Sequence, residues 1–255
     1  MKTDSILAPH MLVKLHCFHV VVFLGLAGAL RALAGEAVTS LLKAPETDTN
    51  TILLLHLDDG AGRIARDASG NGNHGRIGAA AWCEGKFGKA LRFEGKDGLQ
   101  GVNCGGERGQ PASFDFGEST DFTVDLWLRT TSAERYMNVI NKKSRPEATE
   151  AGFMISTDSG RMTAILADGV KSVLLSHPTP INDGKWHHVA LVAERKGEAT
   201  LYVDGEPSKS GSLRDLIDLT NPRRDLRIGD RGHDWAFEGV IDEVRISAIV
   251  RQFNR

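Results

Sequence analysis

From Thr51 onward, short apolar runs alternate with clusters of Gly, Asp, Asn and Pro, and the runs recur roughly every ten residues. That spacing predicts an all-β sandwich. The candidate strands are TILLLHL (51–57), KALRFEG (89–95), DFTVDLWLRT (121–130), MNVINKK (137–143), GFMIST (152–157), RMTAILAD (161–168), KSVLLSH (171–177), WHHVALVAE (186–194), ATLYVDG (199–205), DLRIGD (225–230) and FEGVIDEVRIS (237–247). Apart from a candidate turn at Leu213 to Leu219, no stretch sustains a helical stripe, and neither an internal repeat nor a second core is visible.

Successive strand residues face opposite sides, so in DFTVDLWLRT the residues Phe122, Val124, Leu126 and Leu128 form a core face. Asp125, Trp127 and Arg129 share the other face, an aromatic between two charges. The same rule separates the adjacent His187 and His188, which cannot reach one atom from a regular strand and read as structural. RKGE (195–198) supplies a tight reversal into the next strand, and Asp204-Gly205 the following turn.

The first 34 residues stand apart. Lys2 and Lys14 precede the apolar stretch HVVVFLGLAGAL (19–30), and Ala32-Leu33-Ala34 is an A-x-A site of the secretory type. The stretch is shorter than the roughly 20 residues a membrane span requires. A secretory signal over 1–34, a polar linker over 35–50, one domain over 51–250 and a C-terminal tail over 251–255 are therefore expected, with secretion and no stable membrane insertion once the signal is removed. With Cys17 in the signal, Cys83 and Cys104 remain, either bridged or as two separate thiols. A formal net charge of -2 and the lack of a Lys/Arg cluster give no reason to expect a nucleic-acid partner.

DGKWHHVALVAERKGEATLYVDGE resembles the signature hairpin of laminin G-like, concanavalin A-like jelly-roll domains. LHLDDGAGRIARDASGNGNHG (55–75), GKFGKALRFEGKDG (85–98), DFTVDLWLR (121–129) and FEGVIDEVRIS (237–247) resemble the same family in the same order, covering about Thr51 to Val250. The resemblance implies a two-sheet antiparallel jelly-roll sandwich and an extracytoplasmic recognition module for a glycan or a cell-surface protein. It also implies a structural calcium ion between an early loop and the last strand, which places Asp67 and Asn71 opposite Asp242, with Asp58 as a further ligand. Cys83 and Cys104 would then lie on nearby strands, close enough to pair.

The oxygen-bearing residues of DASGNGNHG alternate around glycines as a hard-cation loop requires, although Gly78 stands where an EF-hand places its acid. Catalytic patterns are missing. The glucanase relatives carry E-x-D-x-x-E on one strand, which does not occur here, and Asp242 and Glu243 are adjacent and so fall on opposite faces. No G-x-S-x-G is present, and the glycine patterns at 60–65 and 70–75 run into turn residues where a dinucleotide site needs a helix. The reading is a non-catalytic module, with Asp125, Trp127 and Arg129 as strand-borne ligand contacts and His233, Asp234 and Trp235 as loop-borne ones. An aromatic beside charged groups suits a sugar ring, stacking on its face and bonding its edge.

Overall fold

The computed structural model describes residues 41–96, 100–105, 114–143, 149–232 and 235–253. Its strands are β1 (Thr51–Leu55), β2 (Ile64–Ala65), β3 (Gly75–Ile77), β4 (Ala81–Glu84), β5 (Lys89–Glu94), β6 (Val102–Asn103), β7 (Phe122–Arg129), β8 (Met137–Asn141) and β9 (Ala151–Asp158). They continue with β10 (Arg161–Asp168), β11 (Ser172–Pro180), β12 (His187–Ala193), β13 (Glu198–Val203), β14 (Glu206–Pro207), β15 (Gly211–Ser212), β16 (Arg227–Ile228) and β17 (Glu238–Ser247). Every run expected to be a strand contains one. The short strands β2, β3, β4, β6, β14 and β15 were not visible in the alternation, because two to four residues are too few to show a period.

All pairings are antiparallel and form two sheets. The front sheet runs β14-β13-β12-β7-β17-β5-β4, with β1 beside the second half of β17. The back sheet runs β11-β10-β9-β8-β16-β6-β3-β2. Between them lies one core. Phe122, Val124, Leu126 and Leu128 enter it from β7, and Val189, Leu191 and Ala193 from β12, against Phe153, Ile155, Met162, Ala164 and Leu166 of the back sheet. Phe116 stacks on Phe122 with ring centroids 4.0 Å apart.

The outer face of the front sheet is also dry, which alternation alone does not foretell. Ala190 and Val192 form a second small cluster with Phe253, joined by Tyr202 and Val250. Arg251 and Phe253, expected as tail, are packed against the domain: Arg251 N donates to Thr123 Oγ1, and Phe253 is 2% exposed against His188 and Tyr202. Residues 1–40, with the expected signal, lie outside the described residues.

A bulge in β17 matters to everything on this face. The register with β7 shifts between Asp242 and Arg245, and Glu243 takes φ 51°. The extra residue lets Ile241, Val244 and Ile246 all reach the core while Asp242 and Arg245 both turn outward.

The hairpin of β12 and β13 behaves as expected. The Glu194 amide donates to the Glu198 carbonyl at 3.0 Å across its reversal, and in the next turn, from β13 into β14, Asp204 and Gly205 both take positive φ, as a two-residue turn of this hand requires. His187 sits at the rim, its Nδ1 2.7 Å from Asp204 Oδ2 and its Nε2 3.0 Å from Asp183 Oδ1. Hydrogen bonding to the Asp204 carboxylate first, and also to that of Asp183, raises its pKa against the opposing effect of burial. A raised histidine pKa stabilises the fold fully below about pH 6.5 and ceases to do so as pH rises through the folded value. His187→Gln should therefore cost stability at pH 6, on the order of 1 kcal/mol more than at pH 9. Urea denaturation at the two pH values checks this, and an equal loss at both would contradict it.

Candidate functional site

The face expected to hold a ligand is largely closed. Asp125 is 2% exposed and Trp127 7% exposed, so neither side chain can meet a sugar, and both expectations are corrected. Arg245 forks onto Asp125 through Nε and Nη2, each at 3.0 Å, and His188 Nε2 lies 3.4 Å away. Burial alone would push the Asp125 carboxyl up, but the Arg245 and His188 charges hold it below its usual range. Trp127 lies edge-on to Phe87 and His188, with Lys86 Nζ 4.5 Å above its ring. The covering groups come from the turn between β4 and β5 and from the C-terminal segment.

That turn is pinned from beneath. Asp242 Oδ2 accepts from the amides of Lys86 at 2.7 Å and Phe87 at 3.0 Å, and Asp58 Oδ1 from that of Lys89 at 2.6 Å. Burial pushes the Asp242 carboxyl up to about 7. Glu243, held by His56 Nδ1 at 2.7 Å, is buried beside it, so this carboxylate pair meets no cleft.

Of the expected strand-borne trio only Arg129 emerges. It lies over Trp186 at 5.0 Å, at the mouth of a cleft of about 580 Å³ that also has Arg92, Lys96, Glu94 and Glu238 in its walls. Trp186 is the aromatic partner that the alternation missed. It precedes β12 by one residue, and the pairing of His187 with Leu128 brings it beside Arg129.

The loop-borne expectation leads to Tyr136, the most exposed aromatic side chain among the described residues. Trp235 is half-buried and stacks on Tyr136, which is 41% exposed, with ring centroids 5.3 Å apart and planes 29° apart. The Arg231 guanidinium lies 3.8 Å over the Trp235 ring and that of Arg135 4.7 Å over Tyr136. Tyr136 and Trp235 both take left-handed backbone, φ 60° and 52°, which costs on the order of 1 kcal/mol or more each. The Trp235 carbonyl accepts from Asn138 N at 2.7 Å and ties this loop to the start of β8. His233 and Asp234 lie outside the described residues. Tyr136 carried no signal in the sequence, being far from Trp235 along the chain.

The four residues expected at a calcium ion do not converge. Asp67 is saturated: Oδ1 accepts from Leu54 N and Ser69 N, and Oδ2 from Ser69 Oγ and Asn73 N, at 2.8 to 3.0 Å. Asn71 turns its amide nitrogen to the carbonyls of Thr51 and Ile52. Asp58 and Asp242 instead serve the β4–β5 turn, and although Asp242 Oδ1 has no partner, no group of three or more His, Cys, Asp or Glu among the described residues could hold a metal. The donor set does not fit the ion.

The expected Cys83–Cys104 bridge is likewise corrected, since both cysteines are free. Trp82 packs against the core, so Cys83, its neighbour on β4, points out of the front sheet. Cys104 follows β6 in the back sheet and points into the core, where burial pushes its thiol up to about 12.

Trp127→Ala should thus act on stability, costing about 3 to 5 kcal/mol as a buried aromatic truncation. Guanidinium denaturation measures it; a change below about 1 kcal/mol would mean that the covering layer is not in place.

The binding domain of Paraclostridial Mosquitocidal Protein 1 is similar in structure, with a TM-score of 0.63 at 16% identity over 80% of this chain and 50% of that one. The botulinum neurotoxin serotype D ligand binding domain, in complex with N-acetylneuraminic acid, matches with a TM-score of 0.59 at 18% identity over 80% of this chain and 48% of that one. Domain 4 of AbnA, a GH43 extracellular arabinanase from Geobacillus stearothermophilus, in complex with arabinotriose, matches with a TM-score of 0.53 at 22% identity over 79% of this chain and 93% of that one. The chain spans about half the length of the toxin domains it matches, and at these identities the likeness is one of fold. No curated protein matches the sequence. The family described as the concanavalin A-like lectin/glucanases superfamily matches residues 105–252, more than half of the chain. With the two-sheet antiparallel sandwich and the hairpin of β12 and β13 in place, the chain belongs to the concanavalin A-like lectin/glucanase superfamily.

Proposed function

We propose that the chain is an exported, non-catalytic recognition module that binds a glycan at the Tyr136–Trp235 stack. The exposure of this stack carries the reading. Two stacked surface rings at left-handed loop positions, with the Arg231 and Arg135 guanidiniums against them, put aromatic surface and hydrogen-bond donors side by side, the combination that a sugar ring uses. Strain of that kind persists where the surrounding structure enforces it, and both positions lie outside the strands, on loops. The saccharide complexes of the serotype D toxin domain and of the arabinanase domain support a saccharide as ligand. Burial of Asp242 and Glu243 supports the absence of hydrolysis. Export rests on the apolar stretch at 19–30 followed by Ala32-Leu33-Ala34.

A protein partner is the second reading. It is favoured by β11, the outermost strand of the back sheet, where Leu174 is 66% exposed and the preceding Val170 81% exposed.

Trp235→Ala should leave the melting temperature within a few degrees of the wild type and weaken saccharide binding at least tenfold, about 1.4 kcal/mol. A glycan array followed by titration calorimetry tests this. Saccharide binding unchanged by the substitution would place the site elsewhere.

A further inference from the structure

The back sheet carries a second cleft of about 580 Å³, lined by Arg63, Arg76, Asn103 and Arg227 around a floor of Gly78, Ala79 and Gly101. No residue assigned to a site above lies in it. It is produced by register. Ile64 pairs with Arg76, Arg76 with Asn103, and Asn103 with Arg227, so one transverse row crosses β2, β3, β6 and β16. Ile77, Val102 and Ile228, one position along, are core residues, so the row faces outward. Adjacent strands lie about 4.8 Å apart, which puts the Arg76 and Arg227 backbones about 10 Å apart with the smaller Asn103 between them. Arg63 closes the cleft from the edge.

Cations predominate in the lining, with Arg227 ion-paired to the buried Asp230 beneath it. No carboxylate lines the cleft among the described residues. The nearby acids are engaged. Asp230 is fully buried and accepts from Gly101 N, Arg227 Nε at 2.6 Å and Gly232 N at 3.0 Å. Asp225 holds Asn103 Nδ2 at 2.9 Å. Arg63 is fixed through Nη1 to the Gly78 carbonyl at 2.8 Å. Two of the three guanidiniums are therefore ordered before any ligand arrives, which lowers the entropic cost of binding, and an arginine fork is the group that best matches an oxyanion. In the Arg129 cleft, by contrast, two carboxylates, Glu94 and Glu238, are themselves in the wall.

Asp230 holds Arg227 and the amide of Gly232 on the same Oδ1.

We propose that the Arg63–Arg76–Arg227 cleft is a subsite for the acid group, carboxylate or sulfate, of a saccharide; this rests on the saccharide reading of the Tyr136–Trp235 stack. The exposed Ile64 and the small-residue floor give a flat apolar surface against which a pyranose ring can lie while its acid group meets the guanidiniums. Nucleic acid is disfavoured, because single strands are held by bases stacked on aromatic rings and, among the described residues, no ring lines this cleft.

The test titrates the full chain with a uronic acid hexasaccharide, its carboxyl-reduced counterpart, a sulfated hexasaccharide and single-stranded DNA. The wild type should bind one or both acidic hexasaccharides at least tenfold more tightly than the reduced one, and which of them it prefers identifies the acid group. Arg76→Gln, at an exposed position, should abolish that preference and leave affinity for the reduced hexasaccharide unchanged, with unaltered circular dichroism. Lys209→Gln, at an exposed lysine of the opposite sheet edge, should change neither. Trp235→Ala should weaken acidic and neutral hexasaccharides alike. Equal affinity for acidic and reduced forms, an equal effect of Lys209→Gln and Arg76→Gln, or tighter binding of DNA would overturn the acid subsite. A chain that binds only the reduced form retains the glycan module and loses the subsite, whereas one that binds no saccharide loses both.

Discussion

A single buried carboxylate sets the terms for the front sheet. Asp125 sits on the side of β7 away from the main core, almost fully buried, and an ionised group in such a place is tolerated only when paired and hydrogen-bonded. Arg245 supplies the pairing, and it can do so because the bulge at Glu243 turns it and Asp242 outward together while keeping the apolar residues of β17 in the core. His188, on the other flank, completes the set. Keeping water out then requires a roof. Phe253 and Val250 cover one half, Phe87 and Lys86 the other. The sandwich thus carries a partial third layer over its front sheet, and the C-terminal segment is part of the fold.

This layer determines where recognition can occur. With the middle of the front sheet sealed, open polar and aromatic groups remain at the strand ends and on the outer back sheet. Arg129 is the point of transition: it shares a face with Asp125 and Trp127, yet it lies one row beyond the roof and meets Trp186 at an open cleft.

The strand pattern was legible because each long strand faces the main core with alternate residues, and core selection imposes a period of two. The same period shows that the two faces of β7 differ but not which face is wet, since dryness on the second face depends on segments placed by tertiary structure. Nothing local to Trp127 points to Phe87, still less to Phe253. The Asp67 loop shows another degeneracy. Oxygen donors alternating with glycines suit a hard cation, and they equally suit a turn in which the carboxylate collects amide hydrogens, as Asp67 does from Leu54, Ser69 and Asn73. Trp235 stood out as a lone loop aromatic, whereas Tyr136 became meaningful only through the stack that folding creates.

Net charge fails for a related reason. A total of -2 suggests no preference for an anionic ligand, but the total ignores where charges are used. Asp125, Glu243 and Asp204 are committed to Arg245, His56 and His187, and Asp67 and Asp242 to backbone amides, so these acids contribute little to any open surface. Arg63, Arg76 and Arg227 are scattered along the chain and invisible as a cluster until the pairing of β2, β3, β6 and β16 aligns them. Sheet register, which converts separated residues into a transverse row, therefore decides the sign of the local field that an incoming ligand meets.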